Sequence, residues 1–217
     1  MFDLPLFPLH DVLFPGMTLP LHIFESRYQQ MIKICLEGDK RFGVVLIRHG
    51  SEALGPLPEP HLIGCTAQIL EVQPLEEGRM YITTTGVQRF RIDRLNHELP
   101  YLVGQVEFHP FEENNPQELI SAAGRIAPKV QQYIQLLNEI EDVKIDQASI
   151  PEDPISLASF APALLQMPPA EKQVLLESSS TLNLLKSTDK LYLREIAFLR
   201  AFIDHGQDKA QRRIIEN

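Results

Sequence analysis

His22, Glu25, Arg27 and Tyr28 bring an imidazole, a carboxylate, a guanidinium and a phenol into one short stretch, HIFESRY. Such a set could hold a polar ligand, pass a proton between imidazole and carboxylate, or begin a metal site. A metal needs one or two further ligands. The other histidines (His10, His49, His61, His97, His109 and His205) are scattered, with no HxxxH or HExxH spacing. No metal is therefore expected. The structural reading is preferred over the ligand-facing one: Glu25 and Arg27 cap a helix start and pair with strand arginines such as Arg89 or Arg91, because half-buried charges are usually paired.

Nucleophiles are less promising. Ser178, Ser179 and Ser180 with Lys186 suggest a serine–lysine dyad, but the Gly/Pro-rich strand–turn context is missing, and Ser at a helix head is far more often a cap. Cys35 with His22 would need a stabilised thiolate, whereas an apolar helix face raises a thiol's pKa. Cys35 and Cys65 read as buried free thiols rather than a disulfide framework.

Arg79, Arg89, Arg91 and Arg94 could face a phosphate backbone, yet Glu76, Glu77, Asp93 and Glu98 interleave with them. A solvated mixed-charge face is the better reading, and nucleic acid is disfavoured. Phe14, Met17, Leu54, Leu57 and Leu62 are candidates for an apolar groove that takes extended polypeptide by strand addition or side-chain pockets. The candidate ligand or partner residues are thus His22, Glu25, Arg27, Tyr28, Leu57, Leu62, Arg89 and Arg91.

These residues need a scaffold, and composition permits one. The 217 residues are 44% hydrophobic and carry a net charge of −9. Residues 1–110 hold 9 basic and 13 acidic side chains and residues 111–217 hold 11 and 16, so the acidity is not segregated. That balance argues against nonspecific phosphate binding. No run approaches a membrane span, and the N-terminus lacks the basic and unbroken apolar regions of a signal peptide, so the expectation is cytoplasmic with no membrane partner. GxxxxGK[ST] is absent, and no Gly-Lys pair occurs.

The first half reads as strands with one helix. LPLF and LPLHI are short strands separated by a Pro15-Gly16 turn. Phe24 to Glu37 has helical spacing, with Phe24, Tyr28, Met31, Ile32 and Cys35 on one stripe and Gly38 as the stop. FGVVLIR is a central strand, Gly50 to Pro60 a loop, and HLIGCTAQILEVQPL a long strand in which Gly64 marks a bulge or close approach. RMYITTTGVQRFRIDRL reads as two strands meeting at Gly86, and YLVGQVEF closes the set. Short strands in this number predict a closed or nearly closed barrel.

The second half turns helical after FEENNP. Gln117 to Glu141 is a helix with a kink or break predicted near Ala127, before Pro128. Asp142 to Glu152 is an irregular link. Asp153-Pro154 starts the next helix, with Leu157, Phe160, Ala161, Leu164 and Leu165 as its buried stripe. Glu171 to Glu177 is short, and Leu182 to about Gln207 buries Leu185, Leu193, Ile196, Leu199 and Phe202.

The blocks LPLFPL, VLFPG and LPLHIFExRYxxMI, then IGCTAQI, GR-x-YI-x-T-x-G-x-x-RFRI, PYLVGQV and DPISLASFAPALLQMPPAEKQVLLES resemble the N-terminal, substrate-binding domain of Lon proteases. The resemblance covers nearly the whole chain and is strongest over 3–32 and 61–92. It implies an α+β fold: a PUA-like β-barrel with one inserted helix at 1–110, followed by a C-terminal helical subdomain at 111–217. With no room for the family's ATPase and serine–lysine protease modules, it implies a stand-alone recognition module. That module would be non-catalytic, would bind polypeptide or a protein partner in protein quality control, and would need no cofactor. Two alternatives stand: an enzyme with an unrecognised site near His22, Glu25 and Tyr28, or an RNA-binding barrel.

Overall fold

A computed structural model describes residues 1–52, 55–112, 115–140, 145–146 and 149–215, with side chains through His205. Leu54, one of the apolar candidates, and part of the expected link at 142–152 lie outside them. The chain divides into two compact units: Met1–Glu112 with Gln166–Ser178, and Glu113–Leu165 with Ser179–Asn217.

The first unit holds β1 (Phe2–Leu9), β2 (Thr18–Ile23), α1 (Ser26–Glu37), β3 (Arg41–His49), β4 (Glu59–Pro60), β5 (Ile63–Pro74), β6 (Met80–Asn96), β7 (Leu102–Phe108) and α4 (Pro169–Leu176). Strands β1, β7, β6, β5 and β3 follow one another in antiparallel ladders, and a parallel β1–β3 ladder, Leu6↔Gly43 to Leu9↔Leu46, closes the ring. β2 pairs with β6, Thr18↔Thr85 to Ile23↔Met80, and β4 with the end of β3.

Adjacent residues on a strand point to opposite faces, so one strand feeds two cores. Leu6 and Val45 pack with Leu4, Phe90, Ile92, Leu102 and Val106. Their chain neighbours Phe7 and Val44 pack with Tyr28, Met31, Ile32 and Phe42 in a second cluster, which the buried face of α1 completes. β3 is buried from Phe42 to Ile47, as a central strand must be.

Two glycines are demanded by close approach. A Cβ on Gly64 would stand 2.4 Å from the Val44 carbonyl oxygen, and one on Gly86 2.1 Å from that of Phe14. Gly86 does not separate two strands, as expected from its sequence context. β6 runs unbroken from Met80 to Asn96, and Gly86 lets residues 14–17 lie against it, its N–H donating to Met17 and its carbonyl accepting from Gly16. Gly16, at φ 79°, makes the expected turn, closed by Met17 N–H to the Phe14 carbonyl. α1 begins at Ser26, so Phe24 precedes it and is exposed rather than part of its buried stripe.

The second unit holds α2 (Pro116–Ile140), α3 (Pro154–Leu164) and α5 (Thr181–Ile215). α2 continues through Pro128 without the predicted break. Asp153 caps α3 by accepting from Ser156 N–H at 2.8 Å, and Leu157, Ala161 and Leu165 are buried while Phe160 and Leu164 are half-buried. On α5, Leu185 and Ile196 are buried, but Leu193 and Phe202 are exposed: the predicted inward stripe drifts off the face that meets α2 and α3. Tyr192 takes the inward position instead and donates to the Ala161 carbonyl at 2.8 Å.

Candidate functional site

His22, Glu25 and Tyr28 line one cleft. β2 contributes Pro20 to Ile23, β1 contributes Phe7 and Leu9, and Phe24, Glu25, Tyr28 and Glu52 complete it around a volume of 250 Å³. Phe7 stacks on Tyr28 with ring centroids 4.3 Å apart, so the floor is aromatic. His22 lies on the outside of β2, its ring 4.7 Å from Tyr81 and 5.6 Å from Phe24.

Arg27 organises the rim rather than lining it. It pairs with Glu25 at 3.0 Å and donates to the carbonyls of Glu52 (3.3 Å) and Gly55 (3.2 Å), with its guanidinium carbon 4.8 Å from the Tyr28 ring centroid. The expected pairing of Glu25 and Arg27 with Arg89 or Arg91 is therefore not the one made. Glu25 stands at the N-cap position of α1 but makes no side-chain capping bond. Its partner, Arg27, is two residues away and reaches the Glu52 and Gly55 carbonyls as well.

Tyr28 is 3% exposed, and its hydroxyl has no hydrogen-bond partner among the described residues. Burial pushes this phenol up to about 12; Arg27 pulls the other way, and the Glu25 and Glu52 charges add to the rise. It is a neutral donor at any ordinary pH.

Arg89 has a different role. It is 2% exposed and donates to the carbonyls of Leu176 (2.6 Å), Ser178 (2.7 Å) and His109 (3.0 Å), with Phe111 over its guanidinium at 3.7 Å. Burial pulls it down to about 10, so it remains a cation at neutral pH, satisfied by backbone dipoles. Its donors are committed, so it offers nothing to a phosphate. Arg91 is exposed. Gln173 of α4 reinforces the same junction, donating to the Ile63 carbonyl at 2.9 Å.

The apolar candidates do not form one patch. Phe14 is fully buried, Met17 packs against the cluster around Phe7, Leu57 packs against the cluster around Leu6, and only Leu62 is well exposed. Cys35 and Cys65 are buried, and burial pushes their thiols up to about 11 and 12. Among the described residues, no three His, Cys, Asp or Glu side chains stand together as a metal site, and no helix is long and apolar enough to cross a membrane. The cleft residues that sequence reasoning missed, Phe7, Leu9, Pro20 and Glu52, look like ordinary core and loop positions. Pro20 carried the one available signal, because proline within a strand marks an edge.

A family model described as the ATP-dependent protease La (LON) substrate-binding domain matches residues 3–191. Lon protease 2 of Myxococcus xanthus is 29% identical over 209 residues, covering 93% of this chain and 25% of that protein. The Lon protease of Escherichia coli (strain K12) is 24% identical over 180 residues, covering 82% and 23%. The chain thus spans about a quarter of the length of these curated relatives. Among solved structures, a Lon N-terminal domain protein from Xanthomonas campestris superposes with a TM-score of 0.59 at 26% identity, covering 86% of this chain and 96% of that one. The N-terminal domain of Mycobacterium avium complex Lon protease gives a TM-score of 0.64 at 18% identity, covering 88% and 98%, and shows likeness of fold.

Proposed function

The chain belongs to the family of ATP-dependent protease La (Lon) substrate-binding domains, and from that premise we propose that it is a non-catalytic module that recognises polypeptide in cytoplasmic protein quality control. Its strand ring is read as a PUA-like β-barrel and its helical unit as the family's C-terminal subdomain. The ligand is unfolded protein or an unfolded segment of a partner, and binding needs no nucleotide, metal or cofactor.

The observation that carries this reading is the cleft between β1 and β2. It has apolar walls, an aromatic floor and two carboxylates, and it is lined by strand residues. At 250 Å³ it falls below the roughly 300–1,000 Å³ of pockets that enclose drug-sized ligands, and suits one side chain of a longer chain. The polar groups present do not compose a nucleophile and base: Tyr28 is held neutral and Glu25 is tied to Arg27.

The test is fluorescence anisotropy with labelled, intrinsically unfolded casein, beside a folded protein of similar size. Saturable binding of casein alone, unchanged by ATP and Mg²⁺ or by EDTA, supports the module. Absence of saturable binding up to the solubility limit, or cleavage of the casein, overturns it.

A further inference from the structure

Two half-paired strand stretches meet at the cleft. β1 pairs with β7 through Leu6, but its last residues, Phe7 to Leu9, have a ladder only with β3. β2 has a ladder only with β6. Side chains from both half-paired stretches line the same cavity.

The direction of the free groups on β2 follows from one hydrogen bond. Gly86 N–H donates to the Met17 carbonyl at 2.8 Å, so Met17 faces β6. Backbone groups alternate along a strand, so Leu19, Leu21 and Ile23 also face β6, while Thr18, Pro20 and His22 face away. The outward edge therefore offers the Thr18 and His22 N–H and C=O groups and the Pro20 C=O. It ends at Phe24, whose carbonyl already accepts from Gln29 at 3.0 Å.

A second observation concerns Tyr28. An orphaned, buried hydroxyl is costly relative to a satisfied one. Tyr28 lines the cleft, and the Glu25 and Glu52 charges that line it too act on this phenol. Tyr28 thus brings a buried donor, without a partner among the described residues, to the lining of the cleft.

We propose that an extended segment of a client polypeptide enters between β1 and β2, adds as a strand to the outward edge of β2, and seats one large apolar side chain on Phe7 and Leu9 with the Tyr28 hydroxyl donating to a backbone carbonyl of the segment. This rests on the polypeptide-recognition reading and locates it. Charge sets the preference among clients. Glu25 is balanced by Arg27, whereas the Glu52 carboxylate accepts from His10 N–H at 2.9 Å and has no cationic side chain paired with it among the described residues, so flanking lysine or arginine is favoured and flanking Asp or Glu opposed.

The probe is the labelled peptide KKTVTFTVTKK, with each central residue N-methylated in turn, measured beside labelled casein on the full chain. Strand addition predicts at least tenfold weaker binding at every second N-methyl position and little change between. Tyr28→Phe, which keeps the ring stack, weakens both probes about tenfold. Benzoylphenylalanine at Thr18 crosslinks the peptide, whereas the same group at exposed Ile34 does not. A flat N-methyl scan, unchanged binding by Tyr28→Phe, or crosslinking only from position 34, with casein still bound, overturns the cleft while leaving the module. Failure of casein and peptide alike overturns the module itself. Concentration-dependent dimerisation in sedimentation that the peptide does not reverse would assign the edge to a second copy and overturn the client.

Discussion

Arg89 donates to the carbonyl of Leu176, 87 positions further along the chain, at 2.6 Å, and so fastens α4 to β6 within one compact unit. Among the described residues no carboxylate pairs with this cation, and it is held by the carbonyls of four residues: Leu176, Ser178, His109 and Pro110. Arg89→Met should therefore cost about 3 kcal/mol, since it orphans several buried acceptors at once. Urea unfolding reads the loss, and limited proteolysis of the native variant should cut first within 166–178. Arg89→Lys should fall between, because an ammonium cannot span the same carbonyls.

Tyr28→Phe should move stability and binding in opposite directions. Removing a buried hydroxyl without a partner leaves the midpoint unchanged or raises stability by up to about 1 kcal/mol. The same substitution should weaken casein binding. Loss of both together would mean that the ring stack on Phe7, not the hydroxyl, is what matters.

Two glycine substitutions should have opposite signs. Gly86→Ala drives a methyl to 2.1 Å from the Phe14 backbone oxygen and should destabilise by about 3 kcal/mol, with loss of order over residues 14–17 in hydrogen exchange. Gly124→Ala, in α2 with nothing within 4 Å, should stabilise by about 1 kcal/mol. Thermal denaturation of both variants checks the pair.

The thiols give a pH dependence. With Cys35 raised to about 11 and Cys65 to about 12 from the ordinary 9.0, folded and unfolded states are equally protonated below pH 9. Above it the unfolded state releases protons first, so stability falls as pH rises from about 9 toward 11–12. Cys35→Ser/Cys65→Ala protein should lose the part of that slope between about pH 9 and 10; above it the raised Tyr28 phenol and the lowered Arg89 contribute in both variant and parent. At pH 8 the native thiols should resist iodoacetamide and react once urea is added.

The architecture was legible where a local rule and the tertiary environment agreed. The Pro15-Gly16 turn, the Asp153 cap and the central strand at Phe42 rest on backbone rules that packing had no reason to override. Gly86 misled because turn breaks and close-approach glycines share one letter; which applies depends on Phe14, distant in sequence. Pro128 is tolerated in α2 although an interior proline usually breaks a helix. Leu193 lies off the inward stripe that Tyr192 and Ile196 occupy, and Phe202 lies beyond Ile196, past the surface the helix packs on.

The candidate site was half legible. HIFESRY placed His22, Glu25 and Tyr28 at one corner because they are neighbours in sequence, and that corner is where the cleft forms. The opposite wall comes from Phe7 and Leu9, and nothing local says that β1 changes partners at Leu6. Arg89 was grouped with Arg91 by spacing, and strand alternation does put both on one face; Arg89 is buried because the distant Leu176 and Ser178 carbonyls cover it, while Arg91 stays exposed.

The Arg89 clamp also orders events in time. At about 5–20 residues per second, the ribosome delivers Leu176 roughly 4–17 s after Arg89. During that interval every strand of the ring has been made, while a buried guanidinium still lacks two of its acceptors. A nascent chain paused before residue 176 would present a ring that is topologically complete but electrostatically unfinished.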